Sequence, residues 1–160
     1  MAEVKAPKVE GLDTDDRDRV GLSKMLNALI NADYAMYIFI NKGIDMSTGK
    51  VAAMAAHAAT ESVWGSPTQT VVDWRKGGHY KKLVMQARDT EHLNNIQKYV
   101  EDRGFKTFPI IDEGLTEIPR HSFVALGVEI VNKADEHTKA TFECFELYRS
   151  KIKVNLEIDR

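Results

Sequence analysis

Residues 47–60, STGKVAAMAAHAAT, carry six alanines and only one side chain with a charge, Lys50. Alanine is the best helix former, and Ser47 or Thr48 can cap the start, so the segment predicts a helix over 50–63. A helix this thin is built to lie close against something flat. At 100° per residue Lys50, Met54, His57 and Glu61 share one face, and Ala52, Ala55, Ala56 and Ala59 cluster opposite. The alanine face is expected to pack on a sheet. Lys50 is harder to place, because a cation in the first turn meets the positive end of the helix dipole. Either it is exposed to solvent, or an anion meets it there.

The rest of the chain alternates between strand-like and helix-like patterns. An apolar helical spacing runs over 17–32 (Val20, Met25, Leu26, Leu29, Ile30), and the run 34–40 reads as a buried strand. A short helix is expected within WGSPTQTVVDWRKGG. KKLVMQAR is a strand, and DTEHLNNIQKYVEDRG a helix with Asp89 or Thr90 at its cap, a stripe of Leu93, Ile96 and Val100, and Gly104 at its stop. KTFPIID and SFVALGVEIV are two further strands. Phe142, Phe145, Tyr148 and Ile152 predict a helix over 135–150. Strands alternating with helices point to an α/β sandwich with helices on both sides of a small sheet. Residues 1–16 read as a flexible lead-in and 17–160 as a single domain.

With 43% hydrophobic and 29% charged residues, the composition fits a globular domain. No apolar run approaches the roughly 18 residues that span a bilayer, and the N-terminus lacks the apolar stretch of a signal peptide. A cytoplasmic protein that does not enter membranes is expected. Cys144 is the single cysteine, so no internal disulfide can form, and it reads as core or interface filling. The five histidines and one cysteine show no ligand spacing, so neither a metal nor a cofactor is expected. STGK is no phosphate loop: Ile44 stands where that motif needs glycine, and Val51 where it needs a hydroxyl.

The net charge of −2 hides an uneven distribution. Residues 75–106 hold eight bases and four acids, whereas 107–148 hold eight acids and three bases. Within the basic stretch, WRKGGHYKK sets Arg75, Lys76, Lys81 and Lys82 among Trp74, His79 and Tyr80. Cations interleaved with aromatics suit nucleic acid; alternatively Lys81 and Lys82 simply open a strand.

Taken together, MSTGKVAAMAAHAA and IIDEGLTEI resemble the two signature stretches of the type II peptidyl-tRNA hydrolase family, and the order of the segments between them is similar. The resemblance runs over about residues 34–148. It implies a three-layer α/β/α sandwich around a small, mostly four-stranded mixed sheet. It also implies hydrolysis of the ester joining peptide to tRNA, with peptidyl-tRNA as partner and a homodimer as the assembly. The family's lysine, histidine, aspartate and threonine fall on Lys50, His57, Asp112 and Thr116. The chain departs from the family pattern at Met54, Leu115, Glu117, His121, Val124 and Glu129-Ile130.

Ester hydrolysis needs a held water, a group to take its proton, and positive charge where the oxyanion develops. Lys50 with the helix start would bind phosphate or oxyanion, Asp112 would orient or deprotonate the water, and Thr116 would hydrogen-bond the ester end. His57 is a second candidate for proton transfer, about 10.5 Å along the helix from Lys50. The tRNA body would lie on Arg75, Lys76, Lys81 and Lys82. A Lys50–Asp112 pair could equally be a structural salt bridge. Two alternatives stay open: an impaired member that binds tRNA or a protein partner, and an anion-binding domain unrelated to tRNA.

Overall fold

The computed structural model describes residues 21, 23, 32–115 and 117–149. Contacts divide the chain into Met1–Asn31 and Ala32–Arg160, and the fold below is that of the second unit. The lead-in over 1–16 and nearly all of the helix expected over 17–32 lie outside the described residues.

β1 (Tyr34–Asn41) is the central strand. It pairs parallel with β2 (Lys82–Ala87) and antiparallel with β4 (Ser122–Val128), and β3 (Thr107–Asp112) pairs antiparallel with β4, giving the order β2-β1-β4-β3. A two-residue β5 (Val131–Asn132) returns to the start of β1. Strand period two sends alternate side chains to opposite faces. Accordingly, Met36, Ile38 and Ile40 enter one core with Met54, Ala58 and Trp74. Tyr37 and Phe39 enter the other with Leu93, Ile96, Val100 and Phe142. The helices α1 (Thr48–Gly65) and α2 (Thr68–Lys76) therefore cover one face, and α3 (Thr90–Glu101) and α4 (Glu136–Phe142) the other. This is the expected three-layer α/β/α arrangement around a mixed sheet.

The helix starts follow local chemistry. Ser47 Oγ accepts from Lys50 N–H, Asp89 from His92 N–H, and Asp135 from Thr138 N–H, each satisfying a donor the helix leaves unpaired. α3 ends at Glu101 with Asp102 as its cap, and the turn that follows passes through Gly104, whose φ of 87° is the left-handed geometry that glycine allows.

Four expectations need correction. The face of α1 that meets the sheet is Met54, Ala58 and Ser62, while Ala52 and Ala56 face solvent. Close packing is indeed the reason for small residues, but it is concentrated where the helix crosses β4. A Cβ on Gly127 would lie 2.4 Å from Ser62 Oγ and 2.7 Å from the Ala58 carbonyl oxygen. Second, the strand expected over 122–131 breaks after Val128. Glu129 N–H donates to the Lys106 carbonyl, and Ile130 N–H to Ser66 Oγ, so these residues leave the ladder before β5 re-enters it.

Third, the helix expected over 135–150 ends at Phe142. Beyond it the chain runs extended along the outer edge of β2, with Gln86 N–H donating to the Glu146 carbonyl and Tyr148 N–H to that of Val84. Phe142, the last residue of the helix, is buried, and the half-buried Phe145 beyond it still packs on the core, edge-on to Phe39 at 4.9 Å. Ile152 lies outside the described residues. Fourth, Cys144 is exposed, so it does not fill the core.

Candidate active site

α1 begins beside the end of β3, and that juxtaposition builds the site. A bulge between Ile110 and Ile111 shifts the register of β3 against β4, and such bulges re-aim the side chains that follow them. Asp112 emerges there facing the first turn of α1, with its Oδ2 2.5 Å from Lys50 Nζ. The two side chains are only 12% and 11% exposed. Lys50 is thus a shielded cation held by a carboxylate, and the solvent-exposed reading of it falls.

The second oxygen of Asp112 is fixed as well, accepting from Gly114 N–H at 2.7 Å. Gly114 has φ 69°, and a Cβ there would meet Arg120 N and Cα at 2.6 Å, so only glycine fits this turn. A few residues on, Glu117 reaches the start of α1. Its Oε1 accepts from Ser47 Oγ at 2.8 Å and its Oε2 from Ser47 N–H at 3.3 Å. A carboxylate thereby sits at the positive end of the helix, and together with Asp112 it offsets the charge of Lys50 there.

Lys50 and Asp112 border a cleft of about 650 Å³, and His57, two turns along α1, lines it too. Met54 forms part of its floor; it is buried at 5% exposure rather than displayed beside Lys50 and His57. Ile110, Ile111 and Leu115 make an apolar wall, with Leu115 81% exposed. The Lys50 hydrogen bond, and after it the Gly114 N–H, hold the Asp112 carboxyl below the ordinary aspartate range. The charges of Lys50 and His57 act in the same direction, and burial opposes them. A carboxylate so stabilised is a weak proton acceptor. Its two oxygens hold Lys50 and the turn, and the imidazole of His57 lines the same cleft. Thr116 lies outside the described residues.

The basic residues divide. Arg75 and Lys76 are exposed in the last turn of α2, and Lys82 is exposed at the start of β2. Lys81 instead pairs with Asp33, the role of a lysine that opens a strand. Trp74 is buried at 4% exposure and donates its Nε1–H to the Lys81 carbonyl at 2.9 Å, so it offers no face for stacking. Sequence reasoning passed over Trp64, which is 79% exposed. It also treated Glu117 only as a departure from a pattern, although Glu117 closes the start of α1.

The model of the family described as peptidyl-tRNA hydrolase PTH2 matches residues 34–146, the segment that holds β1 to β5, α1 to α4 and the Lys50–Asp112 pair. The chain belongs to the peptidyl-tRNA hydrolase PTH2 family. Among similar proteins, the peptidyl-tRNA hydrolase of Pyrobaculum aerophilum is 34% identical over 111 residues, which is 63% of this chain and 92% of that protein. That of Methanopyrus kandleri is 32% identical over 102 residues, 59% of this chain and 83% of its own. That of Thermococcus onnurineus is 31% identical over 114 residues, covering 66% of this chain and 96% of its own. In this PTH2-family chain no helix among the described residues is long and apolar enough to cross a membrane.

Proposed function

We propose that this chain hydrolyses the ester between peptide and tRNA in peptidyl-tRNA, releasing free tRNA. The observation that carries the reading is the shielded Lys50–Asp112 pair, which joins the two motifs of the family resemblance in one cleft. Membership of the peptidyl-tRNA hydrolase PTH2 family and relatives bearing that name support it.

In this reading the Lys50 ammonium, aimed by Asp112, stabilises the negative charge that develops on the ester carbonyl oxygen. Water adds to the carbonyl carbon while His57 takes its proton. The tetrahedral intermediate then breaks the bond to the tRNA 3′ oxygen, which leaves with the proton from His57, and the peptide leaves as a carboxylic acid that gives its remaining proton to solvent. Asp112 is a positioning residue here: it touches Lys50 and Gly114 and stays ionised. The exposed cations Arg75, Lys76 and Lys82 meet tRNA phosphates, with Lys81 contributing less because Asp33 already neutralises it. A homodimer, expected from the resemblance, and action in the cytoplasm belong to the same reading.

The test is release of tRNA from purified peptidyl-tRNA by the wild-type chain. Turnover is expected. Binding without release would contradict the reading and leave the impaired, tRNA-binding alternative in its place.

A further inference from the structure

We propose that the groove between the C-terminal half of α1 and the start of β2 is a stacking site for an unpaired RNA base, with Trp64 as platform and Arg75 and Lys82 as phosphate contacts. That the RNA is tRNA rests on the function proposed above; the chemistry of the groove does not.

Trp64 carries the inference. Tryptophan is highly buried on average, and exposing its large apolar face to water is costly without a use, yet Trp64 is 79% exposed. It stands beside a groove of about 460 Å³ whose floor includes Thr60, Val63 and Val71, and whose far wall is Arg75, Tyr80 and Lys82. No acidic side chain lines the groove among the described residues. An indole next to two cations without carboxylates matches the two faces of a nucleotide, an aromatic base and an anionic phosphate.

The cations are held in place. Arg75 Nε–H donates to the Tyr80 hydroxyl at 2.7 Å, which leaves its terminal N–H groups without a protein acceptor among the described residues. Lys82 Nζ donates to the Tyr80 carbonyl at 3.2 Å and lies 4.7 Å over the Trp74 ring. Tyr80 itself is displayed by a strained turn: it follows His79 in the left-handed region with φ of 57°, an uncommon geometry for a bulky side chain. Strain of this kind gathers at ligand clamps. The groove is separate from the catalytic cleft, since Trp64 stands about 21 Å along α1 from Lys50.

The test is the affinity of the full-length chain for a short unstructured single-stranded RNA, read by anisotropy of the labelled RNA. Trp64→Ala is expected to raise Kd at least about five-fold, the low end of base–aromatic stacking, while Trp64→Phe stays near wild type. Joint replacement of Arg75 and Lys82 by Ala is expected to weaken binding and lower the salt slope by about 1.4. In hydrolysis of peptidyl-tRNA, Trp64→Ala is expected to raise KM with kcat unchanged. An RNA Kd for Trp64→Ala equal to wild type, or no RNA binding by the wild type, would overturn the groove while leaving hydrolysis to be judged by its own assay. Loss of RNA binding in Trp64→Ala beside a wild type that releases no tRNA would uphold the groove and remove the hydrolase reading.

Discussion

At the scale of single residues, Asp112 uses one oxygen for Lys50 and the other for Gly114, and both bonds favour its charged form. Its folded carboxyl is therefore held below the ordinary value near 3.9. In the acid range the unfolded chain binds the proton more readily, so stability rises with pH there. This contribution is present above about pH 4 and is lost as pH falls through the lower folded value. Asp112→Asn is expected to flatten that part of the acid limb, as read by urea unfolding at a series of pH values. Gly114→Ala forces a Cβ into the Arg120 backbone and is expected to cost about 1–3 kcal/mol in the same experiment. Lys50, His57 and Asp112 were legible as residue types in a spacing. A Lys50–Asp112 pair was already among the expectations from the resemblance; spacing alone could not show it, because a bulge and a turn 62 residues away in sequence decide which carboxylate faces Lys50. Trp64 was illegible for a different reason, since a tryptophan on a helix reads as core until the sheet is seen to lie on another face.

At the scale of elements, α1 and β4 approach as closely as their small residues permit. Gly127→Ala is expected to push α1 from the sheet and destabilise the chain by about 1–3 kcal/mol, measured by chemical denaturation, because the Ala58 carbonyl and Ser62 hydroxyl already occupy the space of a methyl. At the C-terminal end of β1, buried Asn41 donates to Thr90 Oγ1 and the Phe123 carbonyl and accepts from Gly43 N–H. Asn41→Ala leaves several of these groups unpaired and is expected to cost about 1–3 kcal/mol. Helix starts and the α3 stripe were readable because caps and periodicity are local. The orientation of α1 was not, since a helix with alanine on most of its faces gives no direction to its pattern. The tail after Phe142 misled because aromatics three apart fit a helix and also fit an extended edge segment anchored by backbone bonds to β2.

For the whole molecule, a central strand buried on both faces couples the two cores. Tyr37 of β1 stacks on Phe142 of α4 at 4.2 Å, and burial first, then the charges of Asp33 and Glu143, push its hydroxyl up to about 12. A raised folded value means the folded state keeps the proton longer, so stability is intact below about pH 10 and declines as pH rises from there toward 12. Tyr37→Phe is expected to remove this alkaline loss in thermal unfolding scans. On the other side of the sheet, the cleft and the Trp64 groove lie along the same helix, so one tRNA could touch both. The account stands most directly on the single-turnover rate of ester cleavage in peptidyl-tRNA by wild type and by Lys50→Ala. Loss of one preorganised oxyanion stabiliser predicts a rate about 10²–10³-fold lower in the variant, with tRNA still bound; a variant that cleaves at the wild-type rate would contradict it.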